Sequence, residues 1–204
     1  MRCPVKRIKN KFRYEILMRL RGDYDKVRDE IYNAALSEKT AETLVYVEEN
    51  PSNLYWEAFM ILPILQIGDE ILKKKSAPVT EYNDELKKLL DDMKQTLADA
   101  KGAGLAAPQV GRNIRAFIVD TDDGYYEFVN PVILGTSGSQ YGVEGCLSVK
   151  GKWGDVKRPR KVTVEAFDRN GKKFKVVARD FFARAVCHEN DHLDGILYVE
   201  KANN

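Results

Sequence analysis

Residues 187–192 read CHENDH. His188 and His192 stand four apart, so on a helix they lie one above the other on one face. That geometry lets two imidazoles grip one metal ion, with Glu189 beside them as a base for an activated water. The surrounding residues read as a helix near 180–193, with Asp180 placed to cap it and Gly195 just past its end. Histidine pairs at this spacing also occur as ordinary surface or core residues. Here they are the only two histidines in the chain, which favours a site.

A catalytic metal needs a third protein ligand and an open position. Only twelve residues follow His192, and Glu200 is too near the helix end, so the third ligand has to come from upstream. Cys146, in VEGCLSV (residues 143–149), is the best choice, a soft thiolate matched to two imidazoles. The alternative is a small buried residue, which is how most free cysteines behave. Further upstream, Leu86, Leu89, Leu90, Met93 and Leu97 share one side of an amphipathic helix over residues 84–100. Gly102 follows where that helix would end. It opens GAGLAAPQ (residues 102–109), whose glycines let the backbone approach a ligand and whose Gln109 offers a neutral amide donor. Taken singly, such a loop is most often only a cap.

The rest of the chain sets the class. Short strands are expected near 114–119 and 126–130. A hairpin follows: VTVEAFD, then Arg169-Asn170-Gly171, then KKFKVVA, with Asn-Gly as the turn pair. Residues 11–20 alternate, placing Phe12, Tyr14, Ile16, Met18 and Leu20 on one face of a strand. A helical spacing over 23–38 and a second strand stopped at Asn50-Pro51 complete a small β-α-β appendage. The expected fold is α+β, with antiparallel or mixed sheets packed around the C-terminal helix. With 44% apolar and 31% charged residues and a net charge of +2, nothing in bulk charge points to nucleic acid or membrane. No apolar run approaches the roughly 18 residues needed to span a bilayer. Three scattered cysteines form no disulfide framework, so a reduced, cytoplasmic setting is expected.

In order along the chain, GAGLAAPQ, EGCLS and HENDH resemble the signature of the peptide deformylases. The resemblance covers residues 60–204, including the opening ILPILQIGDEILKKKSAPV. It implies that Cys146, His188 and His192 hold the metal, which in that family is Fe²⁺, with Zn²⁺, Ni²⁺ or Co²⁺ able to substitute. It further implies Glu189 as the proton-transferring base, and the Gln109 amide with the Leu147 backbone N–H as oxyanion donors. Gly102, Gly104 and Gly145 fall in the substrate-binding stretches. Phe181, Ala185 and His188 share a helix face that could line a methionine pocket, with Arg184 at its rim. The implied substrates are N-formyl-methionyl peptides and nascent chains at the ribosome. Glu144 and Arg158 match positions supporting the site, and Asp191 is expected to pair with a basic residue, Arg158 being the choice. Two departures stand out. Cys187 replaces the usual Gln before the first histidine, adding a thiol open to oxidation beside a ligand. KGKWG (residues 150–154) is unusual, and Trp153 could alter the substrate cleft.

Rival readings are an HExxH metallopeptidase and a non-catalytic deformylase-like peptide binder. The cysteine-first ligand order argues against the first, the intact Glu189, Gln109 and ligands against the second. A third places function in the N-terminal segment as a DNA-associated module, since residues 1–21 carry eight Lys/Arg and one Glu. Such charge also suits a solvated strand edge. RIKNKFRYEILMRL and LVYVEENPSNL look like the extreme C-terminus of the primosomal replication helicase, without its ATPase motifs. The expected organisation is therefore a helicase-like segment over 1–54, a join over 55–59 and a catalytic domain over 60–204. The join, YWEAF, reads as a translated intergenic spacer. Trp, Glu and Ala codons can spell GGAGG just ahead of the codon of Met60, and Tyr55 lies one base from a stop. Sequencing the codons of residues 56–58 checks this, and any other spelling removes its main support. The alternative is a true fusion with a packed N-terminal domain.

Overall fold

The computed structural model describes residues 6–8, 11–13 and 60–203, and the chain divides into two units, Met1–Tyr55 and Trp56–Asn204. In the first, β1 (Lys6–Ile8) pairs antiparallel with β2 (Lys11–Arg13). The expected helix over 23–38, the remainder of the strand over 11–20 and the strand before Asn50 lie outside the described residues.

In the second unit, α1 (Asp84–Ala100) starts where Asn83 accepts a hydrogen bond from the Leu86 N–H, which satisfies one of the orphan donors of the first turn. Its end differs from expectation. Lys101, not Gly102, takes the left-handed conformation (φ 54°, ψ 37°). Gly102 is small for a packing reason instead: a Cβ there would come within 2.8 Å of Leu97 Cδ1 and 3.0 Å of Leu147 Cδ1.

Five strands follow in a sheet ordered β3 (Gly104–Ala106), β4 (Ala116–Thr121), β5 (Gly124–Ser137), β8 (Lys161–Phe167) and β9 (Lys173–Arg179), every neighbour antiparallel. The β8–β9 turn is the expected one, with Gly171 at φ 76°, a value costly for residues bearing a Cβ. A three-stranded sheet ordered β10 (Ala202–Asn203), β7 (Val149–Arg158) and β6 (Gln140–Cys146) completes the unit. β3 and β6 are therefore edge strands.

The C-terminal helix, α2 (Asp180–Leu193), packs on one face of the five-stranded sheet and α1 on the other. Strand alternation makes this possible. Phe117 and Val119 of β4 join Phe182, Ala183, Val186 and Leu193 of α2 in one core. Ala116 and Ile118, on the opposite face, join Leu86, Leu90, Met93 and Leu97 of α1 in another. Burying about ten such apolar side chains on each face, at roughly 1.5–3 kcal/mol each, is what holds both helices to the sheet. Asp180 does not cap α2 as expected. Arg179 occupies the cap position, while Asp180 adopts φ 49° and its carboxylate accepts from Arg160 Nε at 2.7 Å. Gly195 does lie past the helix end, at φ 73°. Among the described residues, no helix is long and apolar enough to cross a membrane.

Candidate metal centre

α2 runs beside β6, and their side chains meet in a ladder set by the two periodicities, four residues on the helix against two on the strand. Arg184 lies against Gly142, His188 Nδ1 is 2.9 Å from Glu144 Oε2, and His192 Nε2 is 3.2 Å from Cys146 Sγ. Potential ligand atoms of Cys146, His188 and His192 all lie within 4.8 Å of one another. With Nδ1 of His188 taken by Glu144, its Nε2 is the nitrogen left for the shared space. The His188 ring also stacks on Tyr198, centroids 6.0 Å apart.

The donor set fits a transition-metal ion: one thiol and two imidazoles, borderline-soft and convergent. Electrostatics agree. Burial alone would lower the His188 pKa, but hydrogen bonds to Cys146 and Glu144 pull it up to about 10. His192 is held neutral, its pKa pushed well below the usual value by burial, as a ligand imidazole must be.

Behind these residues stands a buried ionic chain. Arg158, 4% exposed, donates from Nε and Nη2 to the two oxygens of Glu144, both at 2.9 Å, and from Nη1 to Asp191 Oδ2. Lys201 Nζ reaches the other Asp191 oxygen at 2.7 Å. Burial would raise the Glu144 pKa, but hydrogen bonds from His188 and Arg158 outweigh it and hold the carboxyl at about 2. Glu144 is therefore a permanent anion that orients His188, the arrangement that typically locks metal-ligating histidines.

Glu189 is 4% exposed, and among the described residues its Oε2 has no hydrogen-bond partner. Burial raises its pKa to about 7, the range suited to a general base near neutrality. Its carboxylate lies so close to Gly104 that a Cβ there would collide with it. Gln109 is buried, and its amide is held by the Ala106 N–H donating to Oε1 at 2.8 Å. That bond aims Nε2 at the site, where it donates to Ser148 Oγ (3.1 Å) and, at 3.4 Å, to Cys146 Sγ. Leu147, following Cys146, is anchored through its carbonyl by Gln66 Nε2 at 3.1 Å.

On the first turns of α2, Ala185 is buried and Phe181 half-exposed, with the Arg184 guanidinium 5.2 Å from the Phe181 ring centroid. Phe181 and Gly102 line one open cleft. Gly145 lies under the indole of Trp153, which a Cβ would strike. Cys187 differs from expectation. It points into the core beneath the sheet, and burial pushes its thiol up to about 11, which makes it poorly reactive.

Tyr198 and Lys201 had no signal in the sequence and meet the site only through tertiary contact. Ser148 closes the EGCLS motif and Gln66 lies in the opening stretch, but neither had a role of its own to read from its spacing. Asp191 was legible only as a charge on the motif helix, and it does meet Arg158.

Residues 61–204 match the polypeptide deformylase family. A peptide deformylase of Caldicellulosiruptor bescii is 56% identical over 133 residues, covering 65% of this chain and 80% of that protein. The crystal structure of the Thermotoga maritima peptide deformylase aligns with a TM-score of 0.69 at 32% identity, over 71% of this chain and 99% of that one. The Met-Ala-Ser-bound class I type b enzyme of Acinetobacter baumannii aligns at 0.67 and 37% identity, over 70% of this chain and 99% of that one.

Proposed function

The chain belongs to the polypeptide deformylase family, and on that premise we propose how its own residues remove the formyl group from nascent peptides. Residues 60–204 act as the catalytic domain, residues 1–54 as a helicase-like remnant and 55–59 as the join. Cys146, His188 and His192 hold the metal, Fe²⁺ by preference, with Zn²⁺, Ni²⁺ or Co²⁺ able to replace it. When bound, the ion supplies Lewis acidity and makes a water nucleophilic near neutral pH.

Substrate enters as an extended strand. Among the described residues, β3 and β6 each present an unpaired edge, the condition for adding a peptide by main-chain hydrogen bonds. Gly104 and Gly145 sit on those edges, where their backbone groups hydrogen-bond the peptide, and Gly102 leads into the first of them. The methionine side chain lies against Ala185, Phe181 and the stem of Arg184. The Acinetobacter relative holding Met-Ala-Ser supports a methionine-headed peptide in this cleft.

Glu189 takes a proton from the attacking water as oxygen bonds to the formyl carbon. The developing oxyanion receives the Gln109 amide, whose hydrogen otherwise rests on the weak acceptor Cys146 Sγ, and the Leu147 backbone N–H. Such preorganised donors contribute roughly 3–4 kcal/mol each. Glu189 then returns its proton to the amine nitrogen as the C–N bond breaks, releasing formate and a free N-terminal methionine. The substrate is the formylated N-terminus of a new chain, and we therefore place the protein's work on nascent chains at the ribosome in the cytoplasm.

The observation that carries this reading is the convergence of Cys146, His188 and His192 beside an unpartnered Glu189. Formate release from formyl-Met-Ala-Ser by the anaerobically iron-loaded full chain tests it. Activity should disappear on treatment with a strong chelator and return with Fe²⁺. A chelated, verified metal-free protein that keeps full activity sinks the metal assignment.

A further inference from the structure

Trp153 is 75% exposed, the most exposed of the large apolar side chains on β6 and β7, yet its six-membered ring rests on the backbone of Gly145. Exposing an indole forgoes the burial that normally stabilises it, so its position calls for a ligand or partner. Among the described residues it has no ring partner and no hydrogen bond. Val143, 60% exposed, and Tyr141 lie on the same outer face of β6, because Gly142, Glu144 and Cys146 point the other way, toward α2. That outer face is open: Lys157 lies over the Tyr141 ring and Asp155 stands across from Val143, so its exposed apolar surface narrows to Val143 and Trp153.

Strand alternation identifies what fills it. A peptide added at the β6 edge turns successive side chains to opposite faces. Its methionine faces α2, where Phe181 and Ala185 lie. The second residue must then face outward, onto the side occupied by Trp153 and Val143. We propose that Trp153 is a specificity-determining residue for the second position of the substrate, a stacking platform that favours aromatic side chains directly after the formyl-methionine. Gly145 is part of the same device: without a Cβ, it lets the indole lie flush with the strand, next to the edge where the peptide joins. This rests on the reading of the cleft given under Proposed function.

The test compares kcat/KM for formyl-Met-Phe-Ala and formyl-Met-Gly-Ala with the iron-loaded full chain. The wild-type ratio should be about ten, the size of effect expected of one aromatic contact. In Trp153→Ala it should fall close to one, and in Trp153→Phe most of it should survive. A ratio is read within one variant, so partial unfolding of that variant does not move it. Independently, Trp153 is the only tryptophan left in a Trp56→Phe chain. Its emission should shift when the product Met-Phe-Ala binds and respond much less to Met-Gly-Ala. A ratio that is the same in wild type and Trp153→Ala, or an emission indifferent to Met-Phe-Ala, overturns the proposal. Failure of the wild type to release formate from either peptide overturns the underlying functional reading instead.

Discussion

Glu189→Gln lowers kcat on a formyl-Met peptide by on the order of 10²–10⁴-fold, the range of a positioned general base. The substitution preserves shape and hydrogen-bonding reach while removing the ability to take a proton. Two further expectations separate this from damage to the site. Metal content, read by elemental analysis, should stay at the wild-type level, since Glu189 is not among the proposed ligands. Thermal stability should not fall, because the wild-type carboxyl is buried with an oxygen that has no partner among the described residues, and a neutral amide is cheaper to bury than a carboxylate. A fully active, metal-replete Glu189→Gln protein would falsify the assignment of the base.

The second large effect is on stability. Arg158→Leu removes the guanidinium that bridges Glu144 and Asp191 in the interior. Both carboxylates remain, Glu144 keeping His188 and Asp191 keeping Lys201, and breaking a buried ion pair by removing one partner costs about 3–5 kcal/mol. The urea midpoint should drop accordingly. The damage should extend to the metal, because Glu144 orients His188 through Nδ1. Loss of such a supporting contact typically costs ten- to a hundred-fold in metal affinity. Arg158→Lys should recover only part of either loss, since a single ammonium cannot reproduce the three bonds that the planar fork makes to two carboxylates. Wild-type urea stability in Arg158→Leu would show that the ionic chain contributes no net stability.

The elements legible in the sequence were those with strong local periodicity or turn chemistry. α1 follows from five leucine and methionine positions at helical spacing, and the β8–β9 hairpin from Arg169-Asn170-Gly171. Helix ends were harder. Lys101 rather than Gly102 takes the left-handed cap, and Asp180 gives its carboxylate to Arg160 instead of to the helix N-terminus. In both cases a tertiary contact overrode a local preference worth only about 1 kcal/mol. Cys187, expected as an oxidation-prone thiol beside a ligand, is buried instead for a related reason. It adjoins His188 in sequence, but neighbours on a helix point about 100° apart, so one faces the site and the other the core.

The sequence by itself determined the candidate ligand set, the pairing of His188 with His192 on one helix face and the family, because i,i+4 geometry and ordered motifs are local properties of a chain. Only the tertiary structure decided the rest. It brings Cys146 to His192 across 46 residues and excludes water from Glu189, raising its pKa. It also places Arg158 between two buried carboxylates and, among the described residues, leaves β3 and β6 as edge strands that both meet the motif helix, β3 at Glu189 and β6 at His188 and His192. These depend on burial and on distances between remote segments, which set the strength of every charge interaction in the site and have no counterpart in residue spacing.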